Sequence, residues 1–121
     1  MANIKRALWF IEENLGKPLS LEEVAKQSAM SKYHFARVFK EIMGKSFKKY
    51  LNERRIKMAE ALLRDEEMNV TEVCFAVGFN DLSYFDRVFR QAKGMTPSSY
   101  RKHLLLKKQE SPNVEQKSPS I

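Results

Sequence analysis

The sequence holds one cysteine, Cys74, so neither an intramolecular disulfide nor a cysteine-built metal cage can form within one chain. That usage suits a reducing cytoplasm. The two histidines, His34 and His103, stand apart from any cysteine or paired carboxylate at ligand spacing, so no metal site and no catalytic base is expected. Glycine and proline number four each, and no glycine-rich loop follows a strand in the manner of a phosphate cradle. No apolar run approaches the ~20 residues of a membrane span. Met1 to Arg6 lack the basic and apolar regions of a secretory signal, which leaves the cytoplasm as the expected location. Strand-like alternation is missing as well, and the helical spacing of apolar residues predicts an all-α chain.

Positive charge, by contrast, is in surplus: 22 Lys and Arg stand against 15 Asp and Glu, a formal net charge of +7. Between Lys32 and Lys57 there are nine basic residues against only Glu41 and Glu53, while the rest of the chain is nearly neutral. Such a cluster attracts polyanions, either nucleic acid or an anionic membrane surface. With 43% hydrophobic residues in 121, the chain can pack one domain, or two small helical subdomains on a shared element, but not a multidomain enzyme.

Seven helices are predicted. Ile4, Ala7, Leu8, Ile11 and Leu15 make the stripe of the first, which Gly16 and Pro18 end. Ser20 with Glu23 forms a capping-box pattern ahead of a short second helix, and Ser31 caps a third that Gly44 stops. A long connecting helix follows Ser46 without Gly or Pro up to Asp65. Asn69 with Glu72 repeats the capping box before a short fifth helix, and Gly78 suits a tight turn. A sixth helix begins near Asp81 and ends near Gly94, and Thr96 and Pro97 open a seventh. The resulting division is an N-terminal subdomain 1–45, a connector 46–65, a C-terminal subdomain 66–106 and a disordered tail 107–121 rich in Lys, Gln, Ser, Pro and Glu.

The chain repeats itself. Phe35, Arg37, Val38, Phe39, Gly44 and Tyr50 recur fifty residues later as Phe85, Arg87, Val88, Phe89, Gly94 and Tyr100. Upstream, Leu21, Val24, Ala25 and Ala29 align with Val70, Val73, Cys74 and Gly78 at a spacing of forty-nine. Each copy reads as short helix, tight turn and longer helix, a helix-turn-helix whose second helix can lie in a DNA major groove. At about 1.5 Å per residue, Ser46 to Asp65 spans ~30 Å, close to the ~34 Å between successive major-groove faces on one side of a duplex. One chain would then read two adjacent grooves of a directional site, without a second copy.

The run from Leu19 to Arg101 resembles the DNA-binding domain of AraC/XylS-type regulators. Its most specific stretches are Val77 to Arg90, with Gly78-Phe79 and Tyr84-Phe85-Asp86-Arg87-Val88-Phe89, and Gly94 to Arg101. The resemblance implies that the third and sixth helices are recognition helices. On the matching positions Lys32, Tyr33, Ala36 and Arg37 would face the first groove and Leu82, Ser83, Asp86 and Arg87 the second. Arg37 and Arg87 are the strongest candidates, since an arginine can donate twice to guanine O6 and N7. Ala36 has no polar atom and can at most touch a thymine methyl. The resemblance further implies regulation of transcription, most often activation, through RNA polymerase.

Around these helices Lys40, Lys45, Lys48, Lys49 and Arg90 are candidate phosphate contacts, the alternative being a solvated face. Asp86 can accept from cytosine N4, orient an arginine, or form a surface ion pair. The phenylalanines and Tyr100 fall at core spacing, Cys74 reads as a small buried hydrophobe, and Trp9 is expected to pack against the neighbouring subdomain. No nucleophile, cofactor motif or metal ligand set points to an enzyme. With the first helix starting almost at Met1, either the protein is DNA-binding alone, or the chain is the output part of a larger sensor. A helical scaffold that binds DNA only through bulk charge is the rival from another class.

Overall fold

Cap residues fix where the helices begin. The computed structural model describes the backbone of residues 2–117 and the side-chain surroundings of residues 3–107. It holds seven helices and no strand among the described residues: α1 (Ala2–Glu13), α2 (Leu21–Gln27), α3 (Lys32–Met43), α4 (Phe47–Leu62), α5 (Val70–Ala76), α6 (Leu82–Lys93) and α7 (Pro97–Lys117). Ser20 and Glu23 close one capping box and Asn69 and Glu72 the other. Ser31, Ser46, Asp81 and Thr96 each accept from the amide three residues on, satisfying donors that the helix itself cannot. α3 and α6 both stop at a left-handed glycine, Gly44 (φ 76°) and Gly94 (φ 77°).

Two cores form, one per copy of the repeat. Ile4, Ala7, Ile11, Leu15, Val24, Ala25, Phe35, Phe39, Phe47 and Leu51 make the first, and Ile56, Ala59, Leu63, Val73, Cys74, Val77, Phe79, Phe85 and Phe89 the second. Equivalent aromatic contacts recur in them: Phe39 meets Tyr50 edge-on at 5.5 Å, and Phe89 meets Tyr100 at 5.4 Å. Phe35, Phe39, Phe85 and Phe89 are fully buried, each worth about 1.5–3 kcal/mol of apolar burial. They pin one face of α3 and of α6 and leave the other outward.

The repeat extends further than the helix-turn-helix. α4 lends Phe47 and Leu51 to the first core and Ile56, Ala59 and Leu63 to the second. Its N-terminal half closes the first unit as α7 closes the second, and its C-terminal half opens the second as α1 opens the first. Glu12 and Leu15 thus correspond to Glu60 and Leu63, at a spacing of forty-eight. Arginines cap both opening helices in the same way. Arg55 donates to the carbonyls of Leu15 (3.0 Å) and Lys17 (2.8 Å), and Arg101 to those of Leu63 (3.0 Å) and Asp65 (3.1 Å), carbonyls in the turns that leave those helices.

Arg55 also joins the two halves. It is 8% exposed, its guanidinium lies 5.8 Å from the Phe79 ring centroid, and burial lowers its pKa from the ordinary arginine range. A buried guanidinium survives only because both Nε and Nη2 find carbonyl partners.

Three features differ from the sequence reading. α4 has 16 residues, about 24 Å, because Leu63 to Asp65 turn towards α5 through hydrogen bonds to Ala59, Ala61 and Leu62. Trp9 is 62% exposed; two residues from both Ala7 and Ile11, it sits on the opposite side of α1 from the core stripe. α7 extends to Lys117, into the stretch 107–121 read from sequence as a tail. Of that tail, residues 118–121 lie outside the described residues.

Candidate nucleic-acid interface

The outward faces of α3 and α6 present equivalent positions, because the same core pattern rotates both helices alike, but of the four residues on each only the arginine is shared. On α3, Lys32, Tyr33 and Arg37 are exposed and Ala36 is half-buried; Tyr33 is 81% exposed, an unusual degree for a large aromatic ring that only packs. On α6, Leu82, Ser83 and Arg87 are exposed and Asp86 is half-buried. Asp86 pairs with Arg90 at 3.6 Å, one turn along the helix, rather than with Arg87. Arg37 donates to His34 Nδ1 at 3.0 Å, and the Arg87 guanidinium lies 5.3 Å from the Tyr84 ring centroid.

The basic cluster is smaller than its count. Arg55 is inside, Arg54 holds Glu12 through two hydrogen bonds of 2.7 and 2.9 Å, and Lys45 holds Glu53 at 2.7 Å. The Arg54 hydrogen bond keeps the Glu12 carboxyl below its usual range, against the partial burial that pushes it up. Lys40, Lys48, Lys49 and Arg90 are exposed. Lys48 and Lys49, read from sequence as neighbours of the first recognition helix, also line a groove between α4 and α6 together with Ser46, Asn52, Tyr84 and Arg87. Tyr84 bridges its two walls: the phenol oxygen accepts from Asn52 Nδ2 at 2.8 Å, and Lys48 Nζ stands 5.4 Å from the ring centroid.

Sequence reasoning missed His34, Asn52 and Tyr84 as parts of this surface. The signal for two of them was present, since His34 and Tyr84 stand fifty residues apart in the repeat. Asn52 left none, because its partner is 32 residues away. Among the described residues no group of His, Cys, Asp and Glu is placed to hold a metal ion, and no helix is long and apolar enough to cross a membrane.

Two helix-turn-helix units, each with an exposed second helix, make the architecture of a DNA-binding module. The helix-turn-helix domain profile matches residues 24–103. SoxS of Salmonella typhimurium is 32% identical over 101 residues, covering 84% of this chain and 94% of SoxS. PocR of the same organism is 34% identical over 103 residues, covering 85% of this chain, which spans only 34% of that longer relative. The DNA-binding domain of AdpA, solved in complex with a target DNA, superposes with a TM-score of 0.76 at 27% identity, covering 84% of this chain and 90% of that one. The chain belongs to the AraC/XylS-type helix-turn-helix family, whose work is sequence-specific DNA binding in transcription regulation.

Proposed function

We propose that one chain binds duplex DNA through α3 and α6 in successive major grooves, and by doing so regulates transcription, most often as an activator that contacts RNA polymerase. The observation that carries this reading is the pair of exposed arginines, Arg37 and Arg87, at equivalent positions of two helices held alike by buried phenylalanines. Lys32, Tyr33 and Ala36 accompany the first, and Leu82, Ser83 and Asp86 the second. Lys40, Lys48, Lys49 and Arg90 take phosphates, which supply affinity without sequence information. Lys45 belongs to that set only if it leaves Glu53. The role is non-catalytic and cytoplasmic, and the unit on DNA is a monomer reading a directional site.

Selection of bound sequences from random duplex DNA near physiological salt tests this. Two short unequal motifs about one helical turn apart are the expected result. A featureless pool with strongly salt-dependent retention would speak for bulk charge alone. The length of PocR favours a second arrangement, in which the same module is the output part of a longer regulator.

A further inference from the structure

His34 and Tyr84 stand at equivalent places in the repeat, each three residues before the arginine on the outward face. On a helix that spacing sets two side chains side by side. In the first unit Arg37 Nη2 donates to His34 Nδ1 at 3.0 Å. Arginine has no acceptor, so the ring nitrogen is the acceptor in this contact. In the second unit the guanidinium carbon of Arg87 lies 5.3 Å from the Tyr84 centroid, within the ~6 Å reach of a cation–π contact. The chemistry differs and the mechanical result is the same: a long side chain is held against its own helix.

We propose that His34 and Tyr84 are positioning residues that aim Arg37 and Arg87 before DNA arrives, and so sharpen base discrimination in each groove. The proposal rests on the reading of those arginines as base contacts. An arginine has several rotatable bonds, and whatever freedom is already removed in the free protein is not lost again on binding. The two braces are anchored differently. Tyr84 is itself held by Asn52 on α4 and packs 5.9 Å from Phe79, so the aim of Arg87 is tied to the connecting helix. His34 is exposed, and its brace is internal to α3.

The test compares base preferences, selected from random duplex DNA, for variants of the full chain. Arg37→Ala and Arg87→Ala first locate the base positions each arginine reads. His34→Leu, at an exposed position, is expected to lower preference at the Arg37 positions about fivefold and to leave the Arg87 positions alone. His34→Gln, which restores an acceptor, is expected to recover most of it. Tyr84→Leu is expected to act likewise at the Arg87 positions, and Tyr84→Phe, which keeps the ring, to recover them. Full preference in both leucine variants overturns the bracing and leaves base reading by the arginines standing. A loss spread evenly over both sets of positions also overturns it, being the mark of weaker binding rather than a misdirected arginine. If Arg37→Ala and Arg87→Ala relax no position, the base-reading assignment fails, and the bracing with it. Because Tyr84 touches the core, the His34 pair decides alone should Tyr84→Leu not fold.

Discussion

A side chain at position 78 would need space that Leu15 and Arg55 already fill. Gly78 has φ +103°, and a Cβ there would collide with the Leu15 carbonyl oxygen and meet Arg55 Nε at 2.7 Å. Its counterpart in the first unit, Ala29, adopts φ 57°, a left-handed conformation that costs an alanine roughly 1–2 kcal/mol. Gly78→Ala is expected to destabilise the protein by about 2–4 kcal/mol through overpacking and backbone strain. Ala29→Gly is expected to change stability by less than about 1 kcal/mol, since relief of strain offsets the added freedom of the unfolded chain. Urea denaturation of the two variants measures both, and equal costs would mean that neither Leu15 nor Arg55 presses on the turn. The need for a turn at 78 was legible from the repeat. That glycine is required at 78 and not at 29 was not, because the reasons, the Leu15 carbonyl and the Arg55 side chain, lie 63 and 23 residues away in sequence.

At the scale of elements, the caps, the two glycine stops and the buried phenylalanine pairs were readable, because each is a local pattern of three to five residues. Which lysines stay available was not. Lys45 and Lys49 look alike in sequence, yet Lys45 holds Glu53 at 2.7 Å while Lys49 is exposed in the first turn of α4. Lys49→Ala is therefore expected to reduce the salt slope of DNA binding by about one unit, and Lys45→Ala by clearly less. Equal slopes from a titration of affinity against salt would show that the Glu53 pair opens on DNA. The Glu12–Arg54 pair ties α1 to α4 in the same hidden way. The folded pKa of Glu12 is depressed, with the Arg54 hydrogen bond as the main cause. Its stabilisation is accordingly present above the unfolded carboxylate range near ~4.3 and is lost as pH falls through the folded value. Glu12→Gln is expected to lower stability at neutral pH by under about 1 kcal/mol, the pair being partly exposed. It is also expected to flatten the acid limb of a stability–pH profile, and an unchanged limb would remove the pair from the list of tethers.

At the scale of the molecule, the sequence reads as two subdomains and a connector, while the structure is two overlapping units that share α4. Tyr84 with Asn52, and Arg55 with Leu15 and Phe79, cross between them. These links are invisible in sequence because each partner lies more than twenty residues from the other. They bear on the proposed reading directly: if a shared helix with cross-ties holds α3 relative to α6, the protein and not the DNA sets the spacing of the two grooves it would read. The most direct measurement is affinity for the selected site before and after five base pairs are inserted between its two motifs, half a helical turn. Fixed recognition helices predict that binding falls to the level of a site with one motif destroyed, with one chain bound in each case. Undiminished affinity, or two chains on the lengthened site, would contradict the reading of successive grooves by one rigid chain.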